Sequence, residues 1–206
     1  MRGESDYMNR IITIGREFGS GGRELGRRLA EALHVEYYDK EILAQIAQNT
    51  PFTEKYIREI EMHLPHTLYP ITIGKSFQRI EDYSFKQAQV IYQEQRRIIR
   101  EMAGKSDCVI VGRCANHVLQ DYSPYRIFVY ADMESKIKRC RERGSYQADL
   151  SNEQIKQNIR KIDRNRAKYH SFHTEKEWGT KENYDLCVNT SRTTIKELAI
   201  ALAQLF

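Results

Sequence analysis

A buried strand, a glycine-rich turn and an amphipathic helix follow one another within residues 11–26, IITIGREFGSGGRELG, and this run limits the fold more than any other. Ile11, Ile12 and Ile14 are β-branched and stand close to the start of the chain, as the inner strand of a parallel sheet requires. Gly19, Gly21 and Gly22 free the turn to take positive φ and to approach a ligand closely. Beyond Arg23, Leu25, Leu29, Ala32 and Leu33 recur at helical spacing. Such a turn aims the unpaired N–H groups and the positive dipole end of a helix at one point, which suits an anion and above all a phosphate. The plain alternative is a strand–helix turn that binds nothing.

The standard phosphate-loop pattern asks for a glycine, four residues, then Gly-Lys-Ser/Thr. With Gly21 as the last glycine, Gly22 takes the lysine position and Arg23 the hydroxyl position. Sliding by one gives Arg23 the lysine position and Glu24 the hydroxyl position. The second alignment is preferred, because a guanidinium beside the phosphates can fork two of their oxygens.

Over 206 residues, a hydrophobic share of 40% supports one domain with a full core and room for a smaller inserted part. The net charge of +5 agrees with a phosphorylated ligand and equally with ordinary surface charge. Cys108, Cys114, Cys140 and Cys187 form no CxxC pair. With no signal segment and no long apolar run, a reduced, cytoplasmic protein without a membrane span is expected. His63 and His66 are separated by Pro65 and lack a third ligand, so no zinc site is predicted. Met1 to Tyr7 read as a polar lead-in.

Along the chain, residues 35–38 read as a second strand. Asp39 follows, and either caps the helix bearing Ile42, Leu43 and Ile46 or meets a ligand. Thr53 opens a further helical turn, residues 61–75 read as a loop, and residues 76–103 read as one long helix ended by Gly104. The run Cys108-Val109-Ile110-Val111 is a central strand, and Arg113 follows it where ligands of parallel sheets arrive, with pairing to a surface carboxylate as the alternative. Residues 126–130 and 184–189 supply two more strands, and Asp132 or Ser135, then Thr193 or Thr194, start the helices after them. Ser151 and Gln154 form a capping box for a helix reaching about Tyr169. One face of that helix carries Lys156, Arg160, Asp163 and Arg164, with Arg166 close by. It is a solvated face or a phosphate clamp. Strands alternating with helices predict a three-layer α/β fold with a five-stranded parallel sheet.

Taken in order, residues 11–26, 37–41, 109–113, 162–167 and 184–191 resemble the nucleoside monophosphate kinases, and most closely the cytidylate-kinase-like family. The resemblance implies a P-loop kinase fold over residues 8–206, a helical insert at about 50–105 and a lid at about 139–170. It implies that Gly19, Ser20, Gly21, Gly22, Arg23 and Glu24 hold the phosphates of ATP, and that Asp39 and Arg113 face the acceptor. Arg160, Asp163, Arg164 and Arg166 fall where lid arginines and their aspartate occur. The implied activity is transfer of the ATP γ-phosphate to a nucleoside monophosphate, CMP or dCMP first. Mg²⁺ would be held through water or with help from Glu24 or Asp39. Val111 and Cys114 depart from the family pattern, which has an acidic residue and an aspartate there. A kinase-like protein that binds a phosphorylated ligand without transferring phosphate is the alternative. No recognised nucleic-acid-binding module is present.

Overall fold

The computed structural model describes residues 9–62, 83–144 and 150–206. In chain order the elements are β1 (Ile11–Arg16), α1 (Gly22–Leu33), β2 (Glu36–Tyr38), α2 (Glu41–Asn49), α3 (Glu54–Met62), α4 (Tyr83–Lys105), β3 (Cys108–Val111), α5 (Ala115–Val118), β4 (Tyr125–Tyr130), α6 (Met133–Glu142), α7 (Asn152–Thr174), β5 (Leu186–Asn189) and α8 (Ile195–Ala203). The five strands form one sheet in the order β2-β3-β1-β4-β5, and every pairing is parallel. Ile14 lies beside Val111 on one flank and Ile127 on the other, so β1 is central and its end opens between two neighbours.

Alternation along the strands divides the core into two layers. Ile12, Ile14, Val109, Val111, Ile127 and Val129 point toward Leu25 and Leu29 of α1 and toward Ile195, Ala199 and Leu202 of α8. Ile11, Cys108 and Ile110 point the other way, onto Ile42, Leu43 and Ile46 of α2 and Ile91, Ile98, Ile99 and Met102 of α4. Each fully buried Ile or Leu side chain contributes about 1.5–3 kcal/mol, so both layers are needed to hold the sheet. A third cluster, Cys140 with Ile155 and Ile159, joins α6 to α7 and takes in Phe18 from the glycine turn.

The caps follow the sequence closely. Asp132 accepts from the Ser135 N–H at 2.7 Å, Thr194 accepts from the Glu197 N–H, and Ser151 and Gln154 form the reciprocal box on α7. Three expectations need correction. α7 continues to Thr174 because His170, Thr174 and Lys176 close its last turn: Thr174 Oγ1 donates to the His170 carbonyl at 2.7 Å and accepts from the Lys176 N–H. α4 runs through Gly104 to Lys105, while residues 76–82, with His63 and His66, lie outside the described residues. Asp39 does not cap α2. Lys40 stands at that position without a side-chain cap, and Asp39 turns inward to two arginines. No described helix is long and apolar enough to cross a membrane.

Candidate active site

The turn after β1 is wound tightly and gripped from outside. Ser20 is fully buried and its hydroxyl donates to the Glu17 carbonyl at 2.8 Å. Gly21 caps α1 at φ +84°, where a Cβ would lie 2.6 Å from Ile195 Cδ1. From α7, Asp163 accepts the Phe18 N–H at 2.7 Å. From α6, Lys136 Nζ bridges Glu17 at 2.7 Å and Asp163 at 3.3 Å. Arg139 donates to the carbonyls of Gly19 and Ser20, each at 3.4 Å, and to that of Thr190.

Inside this grip lies a cavity of about 180 Å³. Gly19, Gly21 and Gly22 form one wall, Arg16, Arg23, Arg139, Arg143 and Arg166 line the rest, and among the described residues Glu17 is the one carboxylate that lines it. Glu17 is already neutralised by Lys136. Arg23 is paired with Asp39 and Arg143 with Glu24, yet the cations around the cavity still outnumber the carboxylates, an excess that anionic oxygens would balance.

A second cavity, of about 310 Å³, opens over the carboxyl ends of β1 and β3. Asp39, Arg58, Glu61 and Arg113 line its polar mouth, and Phe18, Tyr169, Trp178 and Tyr184 give it aromatic walls. Arg16, Phe18, Arg23 and Arg166 line both cavities, so the two meet at a seam of three guanidinium groups. Arg166 is anchored there by donating to the Arg16 carbonyl at 3.0 Å, and its cation stands over the Phe18 ring. Asp39, only 6% exposed, holds Arg23 at 2.7 Å and stands 3.7 Å from Arg16. Burial pushes the Arg16, Arg113 and Arg166 guanidinium groups below the ordinary arginine range. A nearby anion would reverse that shift.

The backbone that follows β3 along the larger cavity is strained. Gly112, Arg113 and Cys114 follow one another at φ +82°, +61° and +52°. The Arg16 guanidinium lies across Gly112, where a Cβ would overlap it. Gln95, fully buried on α4, donates to the Arg113 carbonyl at 3.0 Å and accepts from the Tyr169 hydroxyl at 3.3 Å. From the sequence alone, neither Gln95 nor Arg139 has an assigned role. A glutamine inside an apolar helical stripe was the available signal for the first.

The expected site residues divide into three groups. Gly19, Gly21, Gly22, Arg23 and Arg166 line the loop cavity, and Asp39 and Arg113 line the larger one. Ser20, Glu24 and Asp163 act from behind: Ser20 faces inward, Glu24 pairs with Arg28 at 2.8 Å and with Arg143, and Asp163 holds the turn. Arg160 and Arg164 are exposed on another groove beside Lys161 and Trp178 and line neither cavity. Arg113 pairs with Glu61, a half-buried carboxylate rather than an exposed surface one.

The tightly packed glycine turn, where Cβ atoms would collide with Lys136, Ile195 and Arg16, and the arginines that line the cavity beside it fit a nucleotide's phosphate chain. A protein-held Mg²⁺ fits less well. Glu17, Glu24, Asp39 and Glu61 are each engaged by a cation, and among the described residues no three His, Cys, Asp or Glu side chains are grouped for a metal.

Comparison with known proteins agrees with this geometry. Over 95% of its length the chain is similar to an uncharacterized protein from Eubacterium ventriosum, at 27% identity and TM-score 0.69, covering 97% of that chain. It shares its fold with shikimate kinase from Acinetobacter baumannii in complex with shikimate, at 17% identity and TM-score 0.54, covering 97% of this chain and 93% of that one. The same holds for shikimate kinase from Bacteroides thetaiotaomicron, at 14% identity and TM-score 0.57, covering 95% and 97%. No curated protein matches. The fold is thus the three-layer P-loop kinase fold. The profile of the cytidylate kinase-like family matches residues 11–192, and the chain belongs to that family.

Proposed function

We propose that this protein is a kinase that transfers the γ-phosphoryl group of ATP to a nucleoside monophosphate, with CMP or dCMP the first acceptors to test. The observation that carries the reading is the seam: Arg16, Arg23 and Arg166 line both the loop cavity and the larger cavity. In this reading the donor phosphates lie along Gly19, Gly21 and Gly22, and the acceptor enters the larger cavity with its phosphate toward Arg113 and Arg58. An acceptor phosphate oxygen, already ionised at neutral pH, forms the new bond to the γ-phosphorus. The bond to the β–γ bridging oxygen breaks and ADP leaves. The protein's share is alignment and neutralisation of the equatorial oxygens by the seam arginines. Arg23 then serves the charge of the missing lysine together with Arg16. Magnesium, when bound to the donor, would be held by phosphate oxygens and water. Residues 139–170 would act as the lid, with Arg139, Arg143 and Arg166 arriving from its two helices, and residues 50–105 as the acceptor-side insert.

A second reading is a ligand-binding protein without transfer. It is favoured by the pairing, among the described residues, of every carboxylate that lines either cavity: Asp39, Glu61 and Glu17 each hold a cation. Formation of ADP with a panel of nucleoside monophosphates separates the two. Turnover with at least one acceptor is expected, and binding of ATP without turnover across the panel supports the second reading.

A further inference from the structure

Buried polar side-chain atoms almost always have partners, so unpaired ones gathered on one cavity need a reason. Thr13 Oγ1, Asn165 Nδ2 and His170 Nε2 are buried without a hydrogen-bond partner among the described residues, and all three residues line the larger cavity. Thr13 is 1% exposed and His170 4%. Thr13 comes from the middle of β1, and the other two from α7.

The histidine's tautomer is fixed by its surroundings. Its Nδ1 lies 3.1 Å from the Lys176 carbonyl, which can only accept, so Nδ1 carries the proton. Thr174 Oγ1, also at 3.1 Å, has its own proton committed to the His170 carbonyl and can only accept in turn. Burial keeps the ring neutral. Nε2 is therefore a lone-pair acceptor that calls for an N–H or O–H from a ligand. The Asn165 amide supplies a donor and an acceptor, and the Thr13 hydroxyl adapts to either. Tyr169, Trp178 and Tyr184 supply flat apolar walls nearby.

We propose that His170, with Thr13 and Asn165, is the base-recognition wall of the acceptor cavity. It reads a flat heterocycle that carries an N–H donor beside a lone-pair acceptor, while the arginines hold the phosphate. This rests on the reading that the larger cavity takes the acceptor, and it adds a specificity-determining residue to it.

The test is calorimetric titration, without ATP, of CMP, UMP, AMP, GMP and ribose 5-phosphate into the wild type, His170→Asn and Thr13→Val. Asparagine keeps an amide N–H for the Lys176 carbonyl and removes only the Nε2 acceptor. Thr13→Val removes an unpaired hydroxyl at constant shape and guards against a folding failure in the first variant. The wild type should bind at least one nucleotide more tightly than ribose 5-phosphate. His170→Asn should weaken that nucleotide roughly tenfold, as expected when a buried donor loses its acceptor, and leave ribose 5-phosphate within twofold. Thr13→Val should weaken the nucleotide by a smaller factor. Equal nucleotide affinity in the wild type and both variants overturns the inference, as does an equal loss for ribose 5-phosphate or no nucleotide binding at all. Because no ATP is present, a missing phosphoryl transfer would overturn the kinase reading and leave this result standing.

Discussion

Asp163 of α7 accepts the backbone N–H of Phe18 at 2.7 Å, across 145 positions of sequence. The same carboxylate receives Lys136 of α6 at 3.3 Å. The glycine turn is therefore held by the two helices that also bring Arg139, Arg143 and Arg166 to its cavity. Asp163→Ala should destabilise the fold by about 1–3 kcal/mol in urea unfolding, since it strips a buried N–H and a buried ammonium of a partner. Asp163→Asn, which can still accept from Phe18, should recover part of that loss. Equal stability of the alanine variant and the wild type would remove Asp163 from this role.

Gly112 is the second point of constraint. Its φ of +82° and the Arg16 guanidinium lying across it leave no room for a Cβ. Gly112→Ala should cost about 1–3 kcal/mol and displace Arg16, lowering turnover at least tenfold. Gly144, also at positive φ but with no described residue within 4 Å of an added Cβ, supplies the control: alanine there should cost about 1 kcal/mol from backbone conformation and spare activity.

The arginines of α7 should separate sharply. Arg166→Ala should weaken ATP binding about tenfold or more, because its guanidinium lines the loop cavity. Arg160→Ala and Arg164→Ala should change it less than twofold, because both are exposed on the neighbouring groove. The converse order, measured by titration, would mean that the lid presents a different face to the donor.

His173 gives the fold a pH dependence of known sign. It stacks on Tyr92 with ring centroids 3.7 Å apart, and burial pushes its pKa down to about 4. The unfolded chain then binds a proton at the ordinary histidine value while the folded chain does not. Stability is full above about pH 6.5 and falls as pH drops toward 4, by roughly 2 kcal/mol from this group. His173→Gln should flatten the urea midpoint over that window, and an unchanged slope would exclude His173 as its source.

Much of this architecture was legible in the residues. The β-branched runs at Ile11 and Cys108, the capping box at Ser151 and the caps at Asp132 and Thr194 act locally, and each appears where its local chemistry predicts. The α7 end moved because side-chain bonds of His170 and Thr174 to nearby backbone carry the helix beyond the apolar stripe that marks its start. The site was legible where backbone geometry demands glycine and opaque where charge chooses among partners. Asp39 is a sound helix cap by sequence, yet two arginines of β1 and α1 outcompete the backbone for it. The Arg160–Arg166 stripe looks uniform along the helix, but only packing against Phe18 and Arg16 turns Arg166 inward. Arg139 falls at the start of the lid expected at about 139–170, and only the folded chain brings it 120 positions back to Gly19.

The measurement that bears most directly on the central claim, that the arginine-lined loop cavity takes the donor's phosphates, is paired titration of ATP and adenosine into the wild-type protein at two salt concentrations. Two charge-assisted phosphate contacts make ATP at least about a hundredfold tighter than adenosine at low salt, and added salt should shrink that margin. Equal affinity for the two ligands, or none for ATP, would contradict the account.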